Sequence, residues 1–125
     1  MERSAPREVI LPEPEIGVRI FRDLWEASKL EGYNFGKFQT YCAHVRHVNL
    51  ALCGEIYDAF LARAERMVVE GTRTPFEAIL WVIETMFPLG TFTAPNDRRI
   101  AAINQRKLFR MLVRYERRLY DQYMS

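Results

Sequence analysis

Residues 74–90, TPFEAILWVIETMFPLG, constrain the fold more tightly than any other stretch of this chain. Thr74, Pro75 and Glu77 form a capping box with proline at the first helical position, so a helix starts here for identifiable reasons. Phe76, Ile79, Leu80, Val82, Ile83, Met86 and Phe87 then cover most of its circumference, and Pro88 with Gly90 ends it. A helix apolar nearly all round cannot lie on a surface; it belongs at the centre of a bundle, with other helices packed on every side. Residues 75–87 are therefore expected to be the buried element, and the rest of the chain must supply its neighbours.

The neighbours are legible as helices too. Ile20, Phe21, Leu24, Trp25 and Ser28 repeat at the spacing of one face and predict a first helix from about Glu15 to Leu30, closed by Gly32. Asn34 is a capping residue for a second, with Phe38, Tyr41, Cys42, Val45 and Val48 on its apolar face. A third runs from Leu50 to Val69 and stops at Gly71, with Leu52, Cys53, Ile56, Phe60, Ala64 and Met67 expected inward. The second and third faces stay nearly in phase through Asn49, so one continuous helix is conceivable; ordinary helix lengths favour a break near residues 47–49. No stretch alternates as a strand does.

At 125 residues with 49% hydrophobic and 27% charged side chains, the chain fits a single globular domain that needs no disulfide or metal for its core. The expected fold class is all-α: one compact bundle of four to five helices over residues 15–125, preceded by an extended arm over residues 1–14. That arm carries Pro6, Pro12 and Pro14 and a short Val9-Ile10-Leu11 patch. No apolar run approaches the 18 or so residues of a membrane span, and the densest, Ala78 to Ile83, is bracketed by Glu77 and Glu84. The first fifteen residues lack the apolar stretch of a secretory signal and hold four glutamates, against a transit peptide. The expectation is an intracellular, soluble protein, most simply cytoplasmic, with no membrane partner.

From about Asp97 to Tyr123 the chain reads as one long basic helix, with the Leu89–Asn96 segment as the loop before it. Residues 97–125 hold eight basic and three acidic side chains, a balance of +5; residues 1–96 hold ten basic and thirteen acidic, a balance of −3, which leaves the chain at +2. On a helical wheel Arg99, Arg106, Arg110 and Arg117 form one narrow stripe, widened on one side by Lys107, Arg114 and Arg118. Ala101, Leu108, Met111, Leu112, Tyr115, Leu119 and Tyr123 face the other way. Ala102, Phe109, Val113 and Tyr120 extend the apolar arc to roughly 200°, against the arc of about 100° or somewhat more that one-sided packing needs. Either the helix is wedged between two layers of its own domain, or its second flank meets another chain.

Chemistry is scarce. The sequence has no glycine-rich phosphate loop, no GxSxG elbow, no HExxH and no calcium loop, so no catalytic residue and no cofactor are assigned. Cys42, His44, His47 and Cys53 gather four metal-ligating side chains within twelve residues, but Cys42 and His44 would leave one helix on different sides. Two buried, reduced thiols are the plainer account, and no metal is assigned. Glu26 with Arg22 and Lys29, Glu55 with Asp58, and Glu65 with Arg66 read as solvated charges and intrahelical pairs.

The functional expectation is a non-enzymatic protein-interaction module, a small adaptor, regulator or assembly subunit. Its surface would be the C-terminal helix, with Phe109, Val113 and Tyr120 as apolar anchors and Arg106, Arg110, Arg114 and Arg117 as a polar rim. The partner is another protein or a second copy in a two-fold homodimer. The alternative is a nucleic-acid-binding regulator using the basic stripe, or a helix-turn-helix-like hairpin over residues 21–46 that presents Lys37, Gln39, Thr40, His44, Arg46 and His47. Any two amphipathic helices joined by glycine share that outline, and Glu26 and Glu31 beside it would repel phosphate.

Overall fold

A computed structural model describes residues 13–43, 49–89 and 94–124, and all that follows concerns these residues. They form five helices and no strand: α1 Pro14–Leu30, α2 Phe35–Tyr41, α3 Leu50–Val69, α4 Pro75–Met86 and α5 Pro95–Met124. The Val9-Ile10-Leu11 patch, Val45, Val48 and both histidines lie outside the described residues.

Local chemistry sets the boundaries. After α1 the chain turns at Gly32, whose φ of 102° lies in the left-handed region. Gly32 N–H donates to the Lys29 carbonyl and Tyr33 N–H to that of Ser28, the paired bonds of a Schellman close. Gly71, at φ 77°, repeats the device after α3, with Gly71 and Thr72 donating to Val68 and Met67. Asn34 Oδ1 accepts from Lys37 N–H at 3.0 Å and starts α2; Asn49 Oδ1 accepts from Leu52 N–H at 2.8 Å and starts α3. The break between the second and third helices is thus held by the Asn49 cap. Thr74 and Glu77 form the reciprocal capping box of α4, at 3.2 and 2.9 Å, with Pro75 in its first turn.

The expected centre is the observed one. α4 packs against α1, α3 and α5, and Ala78, Ile79, Val82 and Ile83 have no exposed surface. α1 closes the same core with Ile20, Phe21 and Leu24, α5 with Leu108, Leu112 and Leu119, and α3 with Cys53, Ala64 and Val68. The short α2 leans on α3, with Phe38 buried. Phe87, at the end of α4, is ringed edge-on by Tyr33, Phe38 and Tyr41 at 5.3, 6.2 and 5.6 Å, joining the α1–α2 corner to the centre.

Three readings of the sequence need correction. Leu52 does not point inward: it is 44% exposed, and Val68 takes the buried position that closes this face of α3. Leu52 lies about 100° round the helix from the fully buried Cys53 on the same turn, outside the face that Cys53, Ala64 and Val68 bury. Arg22 bridges not to Glu26 but across to Glu65 of α3, at 2.9 Å; Glu26 pairs with Lys29 at 2.8 Å. Finally, α5 begins at Pro95, two residues before the expected Asp97, since proline at the first helical position loses no bond there.

Burial predicts the energetic hierarchy. Ile79→Ala should cost about 2–5 kcal/mol through the cavity it leaves, and Thr74→Ala about 1 kcal/mol through loss of the cap. Leu30→Ala, at a side chain 87% exposed, should fall within about 0.5 kcal/mol of the parent. Urea denaturation of the three variants checks the order, and equal costs would contradict the packing described.

Candidate interaction face on the C-terminal helix

Thirty residues long, α5 spans about 45 Å and is fastened at three levels. Near its first third, the buried Gln105 Nε2 donates to the Phe87 carbonyl at 3.2 Å, satisfying the chain end of α4. In its second half, the Glu116 carboxylate accepts the Phe76 N–H at 2.8 Å, one of the first-turn donors that a helix cannot satisfy internally. At its end, Tyr123 O–H donates to Asp23 of α1 at 2.8 Å, while Arg19 lies over the same ring at 4.7 Å.

These attachments account for most of the wide apolar arc. Phe109 sets its ring edge-on to Phe76 of α4 at 6.4 Å, and both Phe109 and Tyr120 are half-buried against the core. Ala102 is half-buried as well, leaving Val113, 40% exposed, as the outermost residue of that flank. Of the two arrangements the arc allowed, α5 adopts mainly the first, wedged between α1 and α4.

The opposite side is different. Arg99, Arg106, Lys107, Arg110, Arg114, Arg117 and Arg118 are all exposed, over a helical run of about 28 Å. Some engage locally: Arg99 donates to Asn96 Oδ1 at 3.0 Å, Arg106 to the Ala102 carbonyl at 3.5 Å, and Arg118 covers the Tyr115 ring at 5.5 Å. Lys107, Arg110, Arg114 and Arg117 make no ion pair with any described carboxylate, the pairs Arg22–Glu65 and Lys29–Glu26 lying elsewhere. The structure therefore gathers Arg106, Arg110, Arg114 and Arg117 with Val113 on open surface, and turns Phe109 and Tyr120 partly inward.

Two features here were not read from the sequence. Ile100 and Ile103, 51% and 40% exposed, stand on the first turns of α5. Both lie on the basic side of the wheel, so their exposure was available to a sequence reading. Beside them a hollow of about 660 Å³ opens between α2 and α5, lined by Tyr33, Lys37, Tyr41, Ile100, Gln105 and Met111 among others. It joins segments some sixty residues apart and has no sequence signal. Burial pushes the Tyr41 hydroxyl up to about 12, so it stays neutral there.

Of the other candidate ligands, Cys42 and Cys53 are buried and reduced. Burial, reinforced by a hydrogen bond and charge interaction with Cys42, pushes the Cys53 thiol up to about 11. Among the described residues no three metal-ligating side chains cluster, and His44 and His47 lie outside them. Of the hairpin's polar positions, Lys37 and Thr40 are exposed and Gln39 is half-buried; Arg46 lies outside the described residues. No described helix is long and apolar enough to cross a membrane. No family model, curated protein or solved structure matches this chain.

Two outcomes follow from the titrating groups. Burial raises the Glu116 carboxyl above its usual range, outweighing the Phe76 N–H that holds its charge. A raised carboxyl favours the folded state below the unfolded value and loses that contribution as pH rises through the folded value. Glu116→Gln, whose amide oxygen can still accept from Phe76, should therefore gain on the parent protein as pH rises through the carboxylate range. Chemical denaturation across that range checks the sign. Cys53 should resist alkylation at neutral pH until the protein unfolds, since its thiolate is scarce and covered; a thiol titration with and without denaturant measures this.

Proposed function

We propose that this protein is a non-enzymatic interaction module that binds the acidic surface of another macromolecule along the outer face of α5. One observation carries the reading: seven exposed cations along one side of a single helix, none of them paired with a carboxylate among the described residues. Arginine predominates, and its planar fork suits bidentate contact with carboxylate or phosphate. Fixing α5 at Gln105, Glu116 and Tyr123 holds the cations in register before any partner arrives, which reduces the ordering cost of binding. Val113 and the exposed edges of Phe109 and Tyr120 border the stripe and supply its apolar contact. Arg106, Arg110, Arg114 and Arg117 are the residues assigned to the partner.

Self-association through this face is disfavoured on the same grounds. A two-fold pairing of α5 would set one basic stripe against another, and like charges facing across an interface cost affinity. An acidic protein surface and a nucleic-acid backbone both answer the charge. The partial burial of Phe109 and Tyr120 leaves fewer apolar anchors than a protein partner ordinarily exploits, which favours the nucleic-acid reading.

Reversing Arg110 and Arg114 to glutamate should leave helix content unchanged and lower partner affinity at least about tenfold, the two sites being solvated. Fluorescence anisotropy with random duplex and single-stranded DNA at two salt concentrations separates the partners. Binding that weakens steeply with salt identifies phosphate; no binding at low salt excludes nucleic acid, and capture from the native cell with parent and reversed proteins then decides for a protein. Partners retained equally by both proteins would refute the assignment of this face.

A further inference from the structure

The outward side of α3 is a second uncovered surface, of opposite character to that of α5. Leu52, Glu55, Asp58, Ala59, Ala62, Arg63, Arg66 and Val69 lie along one side of this helix, and every one is exposed. Leu52 and Val69, at 44% and 49%, are larger apolar groups than a solvated face requires. Charge on this face is divided: Glu55 and Asp58 occupy its first half, Arg63 and Arg66 its second. Glu55 and Arg66 stand roughly 16 Å apart along the axis, too far to neutralise each other. Neither these two nor Asp58 makes an ion pair with a described residue. Arg63 lies over the Trp81 ring of α4 at 5.8 Å, at the flank of this face next to α4. A shallow hollow of about 790 Å³ runs beside the second half, with Ala59, Ala62, Arg66 and Arg73 in its lining.

The arrangement is complementary to itself when reversed. About the midpoint between Phe60 and Leu61, Glu55 mirrors Arg66 and Ala59 mirrors Ala62, and these four lie within about 30° of one centre line of the helix; Asp58 and Arg63 mirror each other in level only, on opposite flanks. We propose that α3 is the interface of a two-fold homodimer, in which two copies of the helix lie antiparallel with Glu55 of each against Arg66 of the other. At the crossing point Ala59 and Ala62 present only methyl groups, so the helix axes can approach to the near end of the usual range of about 8–10 Å. Glu55 and Arg66 sit close to the centre line of the face and come level with each other across the two-fold axis. Parallel pairing would instead oppose like charges at every level. A uniformly acidic or uniformly basic partner would match one half of the face and be repelled by the other, whereas a second copy matches both. A two-fold interface is isologous by definition, so self-complementarity of this kind is what it requires.

One helix pair buries less than the ~800 Å² per partner of a standard interface, so the expected dissociation constant is micromolar. Sedimentation velocity from the low micromolar range to about 1 mM should show a concentration-dependent monomer–dimer equilibrium. Glu55→Arg and Arg66→Glu should each weaken the dimer by about tenfold or more, and the double variant should recover most of that loss, because the pair is re-formed between chains with its signs exchanged. Ala62→Trp, which adds bulk at the crossing of an exposed face, should abolish dimerisation while circular dichroism and thermal unfolding of the dilute monomer stay unchanged. A protein monomeric throughout the range would overturn the proposal. So would a dimer indifferent to these substitutions, or a double variant no better than the single ones. Reversal of Arg110 and Arg114 should leave the equilibrium unmoved, which keeps this test separate from that of the α5 face.

Discussion

Enclosure of α4 on three sides is the constraint on which the rest of the molecule depends. Twelve residues long and apolar nearly all round, it is stable only with α1, α3 and α5 against it. Burial also brings polar groups inside, since the first N–H groups and last carbonyls of any helix lack internal partners. Thr74 and Glu77 satisfy one end locally, and α5 supplies the remainder: Glu116 accepts from Phe76 and Gln105 donates to the Phe87 carbonyl. The two longest-range polar contacts of α4 therefore run to one helix, and they set where that helix lies along the bundle.

The position of α5 in turn decides what its surface offers. Phe76 engages the ring of Phe109 as well as the carboxylate of Glu116, so the flank that is surplus for a surface helix is largely consumed within the domain. What remains outward is the basic stripe with Val113 beside it, held on an element fastened at Gln105, Glu116 and Tyr123. A helix locked in this way presents its arginines as a fixed row, and the proposed function rests on that fixity as much as on charge. The outer face of α3, with acid and base divided about its midpoint, has no such single sign. Two surfaces of different charge design on one small bundle are compatible with a dimer that keeps both basic stripes free for other partners.

Much of the architecture was legible because its signals are local. Asn34, Asn49 and Thr74 cap helices whose first turns follow directly, and Gly32 and Gly71 take left-handed conformations that few other residues accept. The all-apolar circumference of residues 75–87 announced its own burial. Periodicity was a weaker guide where it depended on what stands opposite. Leu52 stands beside the buried Cys53 in sequence but about 100° round the helix from it, beyond the face that the neighbours cover, and Arg22 has carboxylates in reach both on its own helix and across from it.

Taken alone, the sequence determined the helical type of the described residues, a count of four to five helices, the approximate limits of α1, α3, α4 and α5, the centrality of α4 and the charge of α5, because capping, turn geometry and amphipathic period act within a few residues. It also narrowed α5 to two arrangements without choosing between them. Only the tertiary structure chose, by placing Phe76 of α4 against Phe109 and Glu116, forty residues away for the last of these. The hollow between α2 and α5, the meeting of Cys42 with Cys53 and the exposure of the α3 face were likewise settled there. Each depends on which helices become neighbours, and that is decided by the joint burial of many side chains at once, a quantity that no local stretch of sequence carries.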